Sequence, residues 1–168
     1  MFREMRRKNQ ALPMEECEAI MRSATSGVLA VIGDAGYPYA VPLSFFYDSG
    51  RLYFHCAKTG HKLDAIIQNP KASFCVIDQD QVVPEVYSSS FRSVIAFGTV
   101  HILKHAQEKR SAIESLARKY APHDSIENQQ REIESSWENL CMLEMQIAHM
   151  TGKEASERIK AMQKSKDS

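Results

Sequence analysis

Residues 27–57 constrain the fold of this chain more than any other stretch. Three apolar runs, "GVLAVIG", "YPYAVPLSFFY" and "RLYFHCA", follow one another with only "GDAGYP" and "DSG" to turn between them. Runs rich in β-branched and aromatic residues, bounded by Gly and Asp, read as strands, and short Gly-containing turns join neighbouring strands as hairpins. The pattern predicts strands over 27–33, 37–47 and 51–57 in an antiparallel meander.

The same reading continues along the chain. A short helix is expected over 13–23, where Met14, Cys17, Ile20 and Met21 recur at helical spacing and Pro13 suits a first turn. A second is expected over 61–68, ended by "NP". A fourth strand over 71–78 leads into an irregular stretch, "QDQVVPEVYSS". A fifth strand spans 90–103, with Gly98 marking a bend or bulge. A helix over 106–120, a polar helical segment around "ENQQREIESSW" and a sixth strand over 140–153 follow. The expected fold is mainly β: a six-stranded antiparallel split barrel with α-helices around it. Residues 1–168 read as a single domain, with a basic N-terminal arm over 1–10 and a polar helical tail over 154–168.

Composition excludes several function classes. With 21 basic and 21 acidic side chains the formal net charge is zero, so attraction to nucleic acid or an anionic membrane is not expected. No apolar run reaches the length of a membrane span. Cys17, Cys56, Cys75 and Cys141 form no paired motif and read as small buried apolar residues. No metal-spaced constellation stands out, and the expected location is the cytoplasm.

The chemical signal lies in "YFHCAKTGHKLDAII". A helix begins here with His61 and Lys62 in its first turn and no acid before Asp64, the reverse of the usual dipole preference. The first N–H groups of a helix have no intrahelical partner, and Gly60 allows a ligand close to the backbone. Together with Thr59 these residues make a phosphate cradle. The plainer alternative is an exposed helix start with Thr59 as N-cap.

At this point the sequence resembles the FMN-binding split-barrel superfamily related to pyridoxamine 5'-phosphate oxidases, and within it the 5-nitroimidazole antibiotic resistance (Nim) flavoproteins. "YAVPLSFFYDSGRLYFHCAKTGHKLDAI" and "SFRSVIAFGTV" carry the likeness. The oxidases place an Arg-Lys pair at the FMN phosphate; His61-Lys62 stands at that position, with Lys62 kept. Their Arg-Gln-Val segment is met by Arg92-Ser93-Val94, with Gly98 four residues on. The lost Arg and Gln argue against a pyridoxamine phosphate oxidase proper.

The resemblance implies FMN as cofactor and a homodimer with flavin at the interface. It also implies NAD(P)H and a small acceptor, such as a nitroaromatic, as transient partners. The expected cofactor-binding set is Pro42, Leu43, Ser44, Phe45, His55, Cys56, Ala57, Gly60, His61, Lys62, Arg92, Ser93 and Trp137, with His55 as the catalytic candidate. Each has a plainer reading: a half-buried structural His55, a barrel strand with an edge Pro42, an ion-paired Arg92, and a Trp137 that simply packs. A flavin-binding protein without turnover and a haem-binding split barrel are the competing functions.

Overall fold

A computed structural model describes residues 2–156 and 161 of the chain. Among the described residues there are eight strands and four α-helices. In chain order they are β1 (Ala11–Leu12), α1 (Met14–Ser23), β2 (Ser26–Ile32), β3 (Pro38–Ser44), β4 (Phe46–Asp48) and β5 (Arg51–Ala57). Then come α2 (His61–Gln68), β6 (Lys71–Val83), β7 (Ser88–Ile102), α3 (Ala106–Tyr120), α4 (Ile126–Ser136) and β8 (Leu140–Glu154). The sheet order is β3-β2-β6-β7-β8-β5-β4, antiparallel throughout, with β1 added to β8.

This order corrects the expected meander. The run read as one strand over 37–47 breaks at Phe45. Its first half, β3, pairs with β2 and its second, β4, pairs with β5, so the halves sit at opposite ends of the sheet. The chain therefore closes the barrel covalently, through Phe45. Counting the broken strand once and leaving out the short β1, the expected six strands are present. The break is held by α3: the Phe45 N–H donates to Tyr120 Oη at 2.8 Å, and Lys119 Nζ donates to the Phe45 carbonyl at 2.9 Å. Lys119 also donates to the Ala24 carbonyl at 2.6 Å, and the Tyr120 hydroxyl donates to the Thr25 carbonyl.

The interior follows from strand alternation. Leu52 and Phe54 of β5, Phe74 and Val76 of β6, and Val94, Ala96 and Val100 of β7 point inward and are buried. Phe74 contacts Phe45 edge-on at 4.8 Å and Phe54 at 5.2 Å between ring centroids. Within the geometry expected of aromatic pairs, these three rings fill the barrel centre. A second cluster, including Ile113, Leu116, Ile133 and Met142, packs α3 and α4 against the outside of β5 and β8.

The stretch read as irregular, "QDQVVPEVYSS", is mostly strand. β6 and β7 continue to a turn at 84–87, and a bulge after Ile77 resets their register. Gly98 lies at a register shift between β7 and β8, as the sequence predicts; a Cβ there would drive into the Gln146 carbonyl oxygen. The N-terminal arm is anchored rather than loose, because Phe2 stacks on His149 at 4.7 Å with an interplanar angle of 8°. The expected helical tail falls almost wholly outside the described residues; Glu154 itself ends β8. No described helix is long and apolar enough to cross a membrane.

Candidate functional site

The barrel has a split. β3 pairs only with β2, and beyond Tyr53 the residues of β5 pair only with β8. The edge of β3 and the last residues of β5 thus approach without hydrogen-bonding to one another. An edge strand turns every second N–H and C=O outward, so the split offers backbone donors and acceptors to a ligand. Pro42 and Ser44 are exposed along this edge and Leu43 is half-buried. Ala57 and His55 lie exposed on β5.

The chain leaves β5 and enters α2 at one end of this split. Gly60 is the N-cap, at φ 129° and ψ 162°, a conformation that L side chains rarely adopt. No side chain caps the helix, so Thr59 does not serve as N-cap. A Cβ at Gly60 would meet no heavy atom within 4 Å, so the space before the helix is open. His61 leans the other way: its ring stacks on Tyr39 of β3 at 4.1 Å, and its Nε2 lies 3.6 Å from Asp34 Oδ2. Gly33 makes room for it, since a Cβ there would stand 3.0 Å from His61 Nε2. His61 therefore ties α2 to the β2–β3 turn, while Lys62, next along the helix, is half-buried.

Lys62 is felt by its neighbours. Although His55 keeps solvent contact as a residue, the groups packed around its ring partly desolvate it and push its pKa below 6.5, and the Lys62 charge pushes it further the same way. Cys56 lies directly opposite Cys141 across β5 and β8. Burial, then the neighbouring thiol, raises the Cys56 pKa to about 12, against the pull of Lys62. At neutral pH this thiol is protonated and a poor nucleophile. Its side chain also shares the inward face with Phe54 and packs on the core.

Four candidates sit elsewhere. Phe45 is fully buried in the barrel, with its backbone N–H and C=O both taken by α3, so it carries the strand break and presents nothing to a ligand. Arg92 bridges Glu16 at 2.5 Å and Asp78 at 3.8 Å. It is also remote from the cradle. His61 lies at the Gly33 end of β2, which is the Lys71/Thr99 end of β6 and β7, and Arg92 is seven residues from Thr99 along β7. At about 3.3 Å per residue, that is roughly 20 Å within one chain. Ser93, beside it, pairs with Ile77 and Lys153 on the same far end. Trp137 packs against α3, with Lys109 Nζ 3.9 Å and the Arg110 guanidinium 4.4 Å from its ring centroid.

Sequence reasoning missed two groups. One is the Lys119–Tyr120 clasp, which looks like the ordinary polar end of a helix until Phe45 is seen beside it. The other is a cavity of about 550 Å³ between α3 and the outer face of β5 and β8. Glu144 is buried in its wall, with His101 Nε2 at 3.4 Å and Arg51 at 3.8 Å. Glu144 was readable only as an acid interrupting an apolar strand.

The donor set at α2 suits a phosphate monoester: uncapped helix N–H groups, Lys62, and an open approach over Gly60. The adjoining split suits a flat heteroaromatic ring. The residues present therefore fit an FMN group.

Comparisons with known proteins agree with this architecture. A solved structure of a protein assigned to 5-nitroimidazole antibiotic resistance in Bacteroides thetaiotaomicron is 23% identical, covers 85% of each chain and superposes with a TM-score of 0.72. A conserved hypothetical protein of Mycobacterium tuberculosis is 16% identical over 90% of each chain, with a TM-score of 0.78. An FAD-binding protein of Mesorhizobium loti is 23% identical over 88% of this chain and 98% of the other, with a TM-score of 0.63. These likenesses establish the split-barrel fold. No curated protein is significantly similar to the chain in sequence. Residues 13–154 match the family described as pyridoxamine 5'-phosphate oxidase, a span that runs from the cap of α1 to the end of β8. The chain belongs to the pyridoxamine 5'-phosphate oxidase family.

Proposed function

We propose that this protein is an FMN-dependent oxidoreductase that passes electrons from NAD(P)H to a nitroaromatic or similar small acceptor. The observation that carries the reading is the uncapped start of α2 at the end of the barrel split, where Gly60 borders open space and the half-buried Lys62 follows two residues on. Similar structures include a nitroimidazole-resistance protein and an FAD-binding protein, which favours flavin in this split.

Bound FMN would supply the two-electron exchange between donor and acceptor. The chain's own residues do the rest. Lys62 and the first N–H groups of α2 hold the phosphate, with His61 braced against Tyr39 and Asp34 beside them. The exposed edge at Pro42–Ser44 orients the ring through backbone groups. His55 is held mainly neutral at pH 7, so one ring nitrogen donates and the other accepts, and it can hold or release a proton at the ring edge.

The reading includes a homodimer. Val28, Cys75 and Ile95 stand side by side across β2, β6 and β7 on the outer face. Ile77 beside them is 65% exposed and Phe97 37%. An apolar face of this kind on a sheet suits a second copy of the chain related by a two-fold axis. Such pairing would carry Arg92 and Ser93 of one protomer towards the partner.

The test is to purify the protein, release its cofactor by heat, identify the cofactor by mass spectrometry, and then assay NADPH turnover against a nitroaromatic panel. FMN with turnover supports the reading in full. FMN without turnover leaves a flavin-binding protein that is not a reductase. A Soret band in place of flavin absorbance contradicts the reading altogether.

A further inference from the structure

A second cavity, about 440 Å³, opens beside the start of α2. Thr59 before the helix and Leu63, Asp64 and Ile67 within it line the cavity; His61 and Lys62 do not. Three lysines converge on it from three separate segments: Lys58 after β5, Lys104 after β7, and Lys109 in the first turn of α3. Asp64 is the one acid in the lining. Lys58 and Lys104 are exposed and form no ion pair among the described residues. Lys109 donates to the Trp137 carbonyl at 3.0 Å and lies over the indole. Burial, followed by the charge of Lys58, pushes the Lys109 pKa down, against a smaller opposing pull from Glu138 and Cys141. Three lysines thus share the cavity with a single lining acid, Asp64. The floor is aliphatic, formed by residues such as Leu103 and Leu140, and Ile67 at its edge is 68% exposed.

A basic rim suits phosphate, whereas an aliphatic floor in a cavity far larger than a phosphate suits a flat base. We propose that this cavity binds the adenosine-phosphate moiety of a dinucleotide, with the phosphates on Lys58, Lys104 and Lys109 and the base on the floor. The moiety is common to NAD(P)H and FAD. The proposal extends the flavin reading without depending on it, because an adenosine phosphate alone should bind.

Trp137 is the only tryptophan in the chain and carries Lys109 on its ring, so it reports on the cavity. The experiment titrates ADP into the full-length protein, following Trp137 emission excited at the red edge, with calorimetry in parallel. Saturable binding is expected. Lys58→Ala and Lys104→Ala should each weaken it about tenfold, the scale of one hydrogen bond to a charged group. Lys8→Ala, on the N-terminal arm, should leave it unchanged. Competition for ADP by NADPH names a nicotinamide donor as the source of the moiety, and competition by FAD names the flavin; either supports the proposal. Absence of binding by both methods overturns it. So does adenosine binding as tightly as ADP, which would leave only an apolar groove, or pyrophosphate displacing ADP at equal concentration, which would leave only an anion sink. If ADP binds and no flavin is recovered from the protein, this proposal stands and the flavin reading fails.

Discussion

Lys119 provides a test of how the barrel is closed. Its ammonium donates to the carbonyls of Ala24 and Phe45 and lies 4.2 Å from the Phe45 ring centroid, with no carboxylate paired to it among the described residues. Burial lowers its pKa from 10.5 to about 8. The sign of the linkage is then fixed. Below pH 8 both folded and unfolded chains carry the proton, and Lys119 adds no pH dependence. Between pH 8 and 10.5 the unfolded chain binds the proton and the folded chain does not, so stability gained from this group rises with pH. The slope of one fully transferred proton is about 1.4 kcal/mol per pH unit, and this is an upper bound for a half-buried lysine. Lys119→Met keeps the stem and removes the charge. At pH 7 the loss of the donors costs about 1–3 kcal/mol, offset by relief of the buried charge. The net change at pH 7 should therefore be small. The assay is urea unfolding of both proteins at half-unit steps from pH 7 to 10. Raised pKa values at Cys17, Cys75, Tyr47 and Tyr53 work in the opposite direction at the alkaline end, but they are shared by both proteins and cancel in the difference. Wild type should gain on the variant steadily above pH 8. A difference that is flat from pH 7 to 10 refutes the reasoning.

Other consequences can be checked separately. NMR titration of His55 should give a pKa below 6.5, and Lys62→Ala should raise it without restoring 6.5, since burial is the larger cause. Gly98→Ala should destabilise the protein by about 3 kcal/mol or more in chemical unfolding, because the Gln146 backbone cannot move aside without breaking the β7–β8 ladder. Sedimentation should give twice the 19.0 kDa chain mass, and Ile77→Asp should shift it to monomer; a wild-type monomer with full flavin occupancy contradicts the dimer.

Much of this was legible in the sequence, for reasons that differ by element. The helices over 61–68 and 106–120 have clear 3.6-residue patterns and sharp ends, and both match. β5 alternates cleanly, which puts His55 outward and Phe54 inward. The break at Phe45 was not legible, because "SFFYD" has the composition of a continuous strand and only pairing to two distant partners divides it. The stretch around Pro84 looked irregular because its residues are polar. Its hydrogen bonds come from the facing strand, which local composition does not record. The uncapped helix start at Gly60 could be read from the Gly turn before the apolar helical pattern. Arg92 could not be placed, since its partner Glu16 is 76 residues away. The lysines of the second cavity are likewise scattered over 58–109 and meet only through the barrel.

The central claim is that the start of α2 holds the phosphate of FMN, and one comparison addresses it directly. Affinities of FMN and riboflavin are measured for wild type and Lys62→Ala by flavin fluorescence quenching on apoprotein. Loss of a hydrogen bond to a charged group, about 1.5–3 kcal/mol, should weaken FMN about 10- to 150-fold. Riboflavin has no phosphate, and its affinity should hold within about twofold while the fold remains intact by circular dichroism. If Lys62→Ala binds FMN as tightly as wild type, or loses riboflavin and FMN equally, the phosphate does not rest on this helix.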